Sequence, residues 1–170
     1  MVTFNFAYTA PINPPGASPI LTPAQVWTGL QYKVRRAEKF VPVITACEVI
    51  SEELPASRAD GQHVITRRAT FAAGAGPKGG GTIVEVCKLY APCRIDFGQE
   101  DGTTVGNYVS VGPGGELMMT YVFEWRVEGV EEGSERAREL EGGYVKMAKM
   151  AVEGSIDTIR KIVKGEIAMD

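Results

Sequence analysis

The chain has 170 residues, of which 44% are hydrophobic and 23% are charged, and its formal net charge is −3 at pH 7. A chain of this length fits a single domain over residues 1–170, with enough buried surface for a sizeable core. The slightly acidic balance argues against a nucleic-acid-binding protein, which usually carries a basic surface, and no apolar run approaches the roughly 18 residues that suggest a membrane span.

The first elements are a strand and a helix. An aromatic residue at every second position predicts the strand: Phe4, Phe6 and Tyr8. A proline-rich loop follows, and Thr22-Pro23 then has the chemistry of a helix start, with a hydroxyl at the N-cap and proline at the first helical position. The apolar spacing continues to about Arg36 and breaks near residues 40–42, which predicts one helix followed by a short second helical turn.

The middle of the chain changes to a period of two, which predicts six further strands. Their expected bounds are Val43–Ser51, His63–Phe71, Thr82–Tyr90, Arg94–Gly98, Thr103–Val111 and Leu117–Val127. The connections between them are short and rich in glycine, proline and aspartate, as hairpins require. Consecutive strands should therefore be antiparallel neighbours.

A long helix is predicted from Gly133 to Lys164, about 45 Å at about 1.5 Å per residue. Its apolar stripe recurs at helical spacing: Tyr144, Met147, Ala148, Ala151, Ser155, Ile159 and Ile162. The largest available partner for this stripe is the strand-rich middle of the chain. We therefore predict an α+β fold in which a curved seven-stranded antiparallel sheet wraps around the long helix, with a ligand cavity between them. A contact with a partner chain, as in a homodimer, is the alternative use of the stripe.

The last strand carries large apolar side chains on one face, too large to leave in water: Leu117, Met119, Tyr121, Phe123 and Trp125. We expect this face to look toward the long helix. The candidate ligand-lining residues are Tyr108, Tyr121, Phe123, Trp125, Met119, Phe71, Tyr144 and Met147. The hydroxyls of Tyr108 and Tyr121 suit a cavity with a few polar anchors.

Arg67 and Glu85 are the charged residues most clearly in phase with apolar neighbours. The hairpin between their strands makes them close cross-strand neighbours. Burying such a pair is costly, so a sheet that holds one on its concave side often uses it on a ligand. The alternative, at equal weight, is a solvated pair on the outer face.

Glu124 and Lys33 are two further charged candidates, and each also has a simpler structural interpretation. Glu124 faces away from the aromatic row, where pairing with a neighbouring strand is the more common outcome, although strand twist can bring it to a cavity rim. Lys33 follows Leu30 on the first helix and either points inward or, more commonly, stays at the surface with its stem against apolar side chains.

The remaining motifs give little evidence for a functional site. The only histidine, His63, and three scattered cysteines lack the spacing of a metal site, so we expect no metal and interpret His63 as a surface residue. The cysteines also cannot form a closed disulfide framework, and the chain start lacks the pattern of a secretory signal, so we expect a cytoplasmic protein.

The G-x-G-x-x-G spelling at residues 74–79 lies between two strands, which predicts a flexible hairpin at a cavity mouth and not a dinucleotide site. Lys78 is not followed by Ser or Thr and does not match a phosphate loop.

Several stretches, in this order, resemble the AtaL-like branch of the START-like, or polyketide cyclase/SRPBCC, superfamily: Ile12-Asn13, Val26–Leu30, Phe40–Pro42, Cys47–Val49, Arg67–Phe71, Glu85-Val86, Leu89–Pro92 and Phe123–Trp125. The resemblance implies a helix-grip fold with a deep hydrophobic cavity and no cofactor. It also implies a role in natural-product pathways, where some fungal members cyclise polyketide chains, including lactonisation to α-pyrones. Arg67, Glu85 and Glu124 lie inside the matching stretches.

Three hypotheses follow from the residues and the resemblance together. In the first, the protein is a cyclase: Glu85 or Glu124 takes an enol proton, and Arg67 or Lys33 stabilises the developing oxyanion. In the second, it is a non-catalytic carrier for a lipid or aromatic metabolite, and the polar residues only orient the ligand. A scaffold role in a biosynthetic complex is a third.

Overall fold

Seven β-strands and two α-helices account for most of the residues that the computed structural model describes, 1–76 and 79–170. The strands are β1 (Val2–Pro11), β2 (Ile44–Glu53), β3 (His63–Phe71), β4 (Gly81–Tyr90), β5 (Arg94–Gln99), β6 (Thr104–Val111) and β7 (Leu117–Val127). The helices are α1 (Pro23–Arg35) and α2 (Glu135–Val163), and short 3-10 turns lie at Ala37–Lys39 and Pro55–Ser57.

The strands form one antiparallel sheet in the order β1-β7-β6-β5-β4-β3-β2. This confirms the predicted meander, with β1 added beside β7. Strand β2 is irregular, with register shifts between Ile44 and Ala46 and between Val49 and Ser51, and such bulges bend a strand and increase its twist. The hairpin expected at residues 74–79 includes Pro77 and Lys78, which lie outside the described residues.

Helix α1 begins at the predicted point because its cap is complete. The Thr22 hydroxyl accepts the backbone N–H of Gln25 at 3.3 Å, and the Gln25 side chain accepts the backbone N–H of Thr22 at 2.9 Å. This reciprocal capping box, with Pro23 in the first turn, satisfies donors that a helix start otherwise leaves unpaired. The helix and the short turn after it are therefore as predicted.

Helix α2 buries its stripe against its own sheet. The Tyr144 ring lies 5.2 Å from Phe4, 5.7 Å from Phe6 and 4.4 Å from Trp125, measured between ring centroids. The stripe therefore covers the sheet and is not left for a partner chain. In the described residues, no helix is both long and apolar enough to cross a membrane.

The concave face of the sheet holds the core. In the inward row of β7, Met119, Tyr121, Phe123 and Trp125 are buried as predicted, whereas Leu117 at the start of the row is half-buried. Each of the buried residues faces an inward residue of β1, and the Phe6 and Phe123 rings stack at 4.7 Å. Aromatic pairs of this kind add stability beyond the area they bury.

The two helices approach closely at one glycine. A Cβ atom at Gly29 of α1 would lie 2.5 Å from Cγ1 of Ile159 of α2. Only a residue without a side chain allows this distance. Helix α1 is thereby held between α2 and the edge of the sheet formed by β2 and β3.

Candidate functional site

The candidate site lies over the middle strands of the sheet, between the strands that the two helices contact. Helix α2 packs mainly on β1 and β7, and α1 contacts β2 and β3. The strand order puts β4, β5 and β6 between these two contacts. Their inward side chains are mostly apolar, but three are polar: Glu85, Gln99 and Asn107.

Arg67 and Glu85 are direct cross-strand partners and both point inward, with only 5% and 7% of their surface exposed. The Arg67 Nε and Nη2 atoms donate to Glu85 Oε2 at 2.8 and 2.6 Å. The predicted pairing is confirmed, and the alternative of a solvated outer pair is wrong. Burial opposes the charge of Arg67, but Glu85 outweighs it and raises the pKa of the guanidinium, so Arg67 stays protonated.

Arg67 also ties the sheet to α1. Its Nη1 atom donates to the backbone carbonyls of Lys33 and Val34 at 3.0 and 3.1 Å, and its guanidinium lies 4.8 Å from the Phe97 ring centroid. These carbonyls belong to the last turn of the helix, where backbone acceptors lack partners within the helix. Most donors of Arg67 are thus engaged by the protein itself. The geometry indicates that Arg67 positions the end of α1.

Lys33 is buried, with 6% of its surface exposed, so the more common surface placement is wrong for this residue. The helical period explains this placement, because Lys33 follows Gly29 by four residues and Leu30 by three and so shares the buried face of α1. The Lys33 Nζ atom donates to the Tyr121 hydroxyl at 2.9 Å and lies 4.1 Å from the centroid of the same ring. Burial, helped by the nearby charge of Arg67 and partly opposed by Glu85, lowers the pKa of Lys33 to about 7.

Tyr121 keeps its proton over the physiological range. Burial raises the pKa of its hydroxyl, and the nearby side chain of Ser155 on α2 only partly offsets this effect. Tyr121 therefore offers a neutral hydroxyl beside an amine that is easily deprotonated. Such a pair suits proton transfer, because one group accepts a proton and the other stays a donor.

Asn107 is the residue that sequence reasoning missed. It pairs across strands with Tyr121, is 1% exposed, and neither amide atom has a hydrogen-bond partner among the described residues. Leaving a buried polar group unpaired costs about 1–3 kcal/mol, so its amide is a candidate for contact with a bound molecule. The signal was in the sequence, because Asn107 alternates with Val105 and Val109 on one face of a predicted strand.

The apolar candidates line this region to different degrees. Met119, Phe123, Trp125 and Tyr144 are buried between the sheet and α2, whereas Phe71 and Met147 are half-buried. The Tyr144 hydroxyl is also without a hydrogen-bond partner among residues 1–76 and 79–170. Cys87 is buried among them, and burial raises the pKa of its thiol to about 12, which makes it a core residue.

Two candidates lie on the opposite, convex face. Tyr108 is one position out of phase with Asn107, pairs with Thr120, and lies beside the guanidinium of Arg94. Glu124 lies on the outer face, as expected, but its side chain accepts a hydrogen bond at 3.0 Å from Arg126 of the same strand and not from a neighbouring strand. A depression of about 530 Å³ lies on this face, bordered by Tyr108 and Val122 among others.

His63 lies at the sheet edge, with its Nε2 atom 2.8 Å from a carboxylate oxygen of Glu52. It is half-buried, so the surface placement expected for it is only partly correct. Across the described ranges, no three or more His, Cys, Asp or Glu side chains are grouped to hold a metal ion. The polar groups at the centre of the concave face are therefore the site to consider.

Comparison with known proteins gives matches over nearly the whole chain. A family model described as Acetylaranotin biosynthesis cluster protein L, AtaL, matches residues 6–166. A protein of that description from Aspergillus terreus (strain NIH 2624 / FGSC A1156) is 33% identical over 159 residues, which covers 94% of this chain and 89% of the relative.

Two solved structures show the same architecture. The Zhui aromatase/cyclase from Streptomyces sp. R1128 matches with a TM-score of 0.57 and 14% identity, over 95% of this chain and 96% of that one. A START superfamily protein from Mycobacterium smegmatis matches with a TM-score of 0.55 and 13% identity, over 92% and 98%. At these identities the likeness concerns the fold alone, and it confirms the predicted START-like helix-grip fold.

Proposed function

Because the chain belongs to the AtaL family, we propose that it is a cofactor-independent cyclase acting on a polyketide-like intermediate in a biosynthetic pathway. Two findings support the proposal: the description of the 33% identical relative as a biosynthesis cluster protein, and the occurrence of the same fold in an aromatase/cyclase. Fold alone does not fix function, so the case depends on the polar groups of the concave face.

The observation that carries the proposal is the set formed by Lys33, Tyr121 and Asn107. An amine bonded to a hydroxyl, and an unpartnered amide on the neighbouring strand, lie in an interior whose side chains are mostly apolar. An apolar lining with a few polar anchors is the usual composition of a small-molecule site. The hydrophobic cavity that the family resemblance implies stays a prediction, and we place it over the inward residues of β4, β5 and β6.

In the proposed reaction the site folds the chain so that an enol oxygen lies against a terminal thioester carbonyl. Near-attack positioning of this kind can supply several kcal/mol of the barrier. Neutral Lys33 takes the enol proton, the oxygen bonds to the carbonyl carbon, and Tyr121 donates a hydrogen bond to the carbonyl oxygen as its charge develops. The thiol leaves with the proton carried by Lys33, so the lactone and the thiol are the products.

This assignment differs from the roles expected from sequence. Glu85 is held by Arg67 and by Gln99, whose Nε2 atom donates to Glu85 Oε1 at 3.2 Å, and Glu124 lies on the other face. Neither carboxylate is free to act as the base in this arrangement. We therefore give that role to Lys33, and treat Arg67 and Glu85 as positioning residues.

Two matched tyrosine variants test the proposal. Tyr121→Phe and Tyr108→Phe each remove one hydroxyl from the sheet, the first on the concave face and the second on the convex face. With a linear poly-β-ketone thioester as substrate, chromatography with mass detection should show a loss of turnover of about 100-fold or more for Tyr121→Phe, since removing an oxyanion donor has effects of that order. Tyr108→Phe should retain wild-type turnover.

Equal turnover in both variants would refute the role of the concave face. Native mass spectrometry distinguishes an enzyme from a non-catalytic carrier, because a carrier binds the linear thioester and returns it unchanged. That result with the wild-type protein, over times long enough for many turnovers of an enzyme, would favour the non-catalytic carrier.

A further inference from the structure

Lys33 is a buried cation for which the described residues supply no carboxylate partner. Its direct contact is the neutral hydroxyl of Tyr121, 2.9 Å from Nζ. The nearest acidic group in this part of the interior, Glu85, is occupied by two donors of Arg67. The Arg67 guanidinium donates to the backbone carbonyl of Lys33 at 3.0 Å, and its fixed positive charge is near enough to disfavour protonation of the amine.

Desolvation and a neighbouring cation are the two conditions that keep a lysine amine neutral and nucleophilic. We propose that Lys33 is a carbonyl-capturing lysine, whose amine forms an imine with a ketone of the ligand bound on the concave face. The inference rests on the proposed function for the location of the ligand and adds a covalent step that cyclisation by general base catalysis does not need.

The step balances without a cofactor or an oxidant. The lone pair of Nζ attacks the carbonyl carbon, and the carbonyl electron pair moves onto oxygen, which takes a proton from the attacking nitrogen through the Tyr121 hydroxyl. Nitrogen then gives its second proton to the hydroxyl oxygen as the C–O bond breaks. Water leaves and a C=N bond remains, so one ketone and one amine give one imine and one water.

The surrounding groups indicate which carbonyl compounds fit. Asn107, the cross-strand partner of Tyr121, has an unpaired N–H and an unpaired carbonyl oxygen within the described residues. A ligand with a second carbonyl close to the first can accept this N–H while Lys33 holds the first. A 1,3-diketone has that arrangement, and its imine rearranges to a conjugated enaminone that is more stable than a simple imine. The site therefore favours β-dicarbonyl segments.

Acetylacetone, a small 1,3-diketone, is the probe for this chemistry. Incubation near the Lys33 pKa of about 7 should give one adduct heavier than the protein by one diketone minus one water, and peptide mapping should place it on Lys33. At that pH the neutral fraction of an ordinary lysine, with a pKa near 10.4, is about a thousandfold smaller. Lys33→Met should lose the adduct, and Lys149→Met, which removes an exposed lysine of α2, should form it as the wild type does.

The pH profile is a second readout, and it needs no variant. The charged and titratable groups near Lys33 are Arg67 from β3, Glu85 from β4 and Tyr121 from β7, and Ser155 of α2 lies near Tyr121. Adduct formation at Lys33 should rise with a midpoint near pH 7 and then level off. Modification of exposed lysines should keep rising toward pH 10 and above.

The outcomes separate the two proposals. Absence of an adduct on Lys33, or equal labelling of Lys33 and Lys149 in the wild-type protein, would overturn the covalent inference. If Tyr121→Phe still abolishes cyclisation in that case, the proposed function stands with Lys33 as a base only. If Lys33 is labelled but no linear thioester is cyclised, the lysine is reactive and the proposed function fails.

Discussion

Replacing Lys33 by methionine should change how the stability of the protein depends on pH. The site lowers the pKa of Lys33 from its ordinary value of 10.5 to about 7. Between those values the unfolded chain binds the proton more tightly than the folded protein does, so the free energy of unfolding rises with pH across that window. Below about pH 7 both states are protonated, and the folded state carries the full penalty of a buried ammonium.

The magnitude follows from the pKa difference. At about 1.4 kcal/mol per pKa unit, the full penalty is about 4 to 5 kcal/mol, and about 2 kcal/mol of it is relieved between about pH 7 and about pH 9. Methionine fills a similar volume without a charge. The variant loses the hydrogen bond between Lys33 and Tyr121 equally at both pH values, because burial raises the pKa of the Tyr121 hydroxyl and keeps it protonated.

Urea denaturation of the wild type, Lys33→Met and the control Lys149→Met at these two pH values measures the effect. The stability of Lys33→Met relative to the wild type should be about 2 kcal/mol more favourable at about pH 7 than at about pH 9. For Lys149→Met the same difference should be near zero. A pH-independent difference for Lys33→Met would show that the amine is not desolvated in solution, and both roles given to it would fail.

Three other variants test separate parts of the account. Asn107→Leu should raise the free energy of unfolding by about 1–3 kcal/mol, since it removes an unpaired buried amide. The same variant should lower turnover of the linear thioester. A less stable variant with full activity would contradict the role of Asn107. Arg67→Met should lower the free energy of unfolding, measured by urea denaturation, by about 3–5 kcal/mol because it leaves Glu85 buried and unpaired. Adding Glu85→Met should recover most of this loss. No recovery would show that the hydrogen bonds of Arg67 to the carbonyls of α1 dominate. Gly29→Ala should cost about 1–3 kcal/mol through overpacking against Ile159, measured as a lower thermal midpoint, and an unchanged midpoint would show that the helices separate easily.

The sheet was predictable from sequence because its signals are local. Alternation of side chains gave β3 and β7 their observed bounds, His63–Phe71 and Leu117–Val127. Short turns then required antiparallel neighbours, and the hairpin placed Arg67 close to Glu85 before any contact was known. These inferences need only the period of a strand and the geometry of a tight turn.

The interior of the site was less predictable because it depends on how α1 lies on the sheet. Lys33 shares a helix face with the buried residues Gly29 and Leu30, but a lysine at such a position commonly extends to the surface, and the contact that holds its amine inside is with Tyr121 of β7. Strand β6 carries Asn107 between Val105 and Val109 on one face and Tyr108 on the other, and the choice of Tyr108 followed its aromatic ring instead of the valine face. Burial settled it, with Asn107 inward and Tyr108 on the convex side.

A crystal structure of the protein with an unreactive linear poly-β-ketone analogue would show whether the concave face binds the substrate. We expect the analogue to lie over β4, β5 and β6, beneath the helices, with carbonyl oxygens within hydrogen-bond distance of the Asn107 amide and the Tyr121 hydroxyl. Binding of the analogue in the convex depression beside Tyr108, with the interior unchanged, would contradict it.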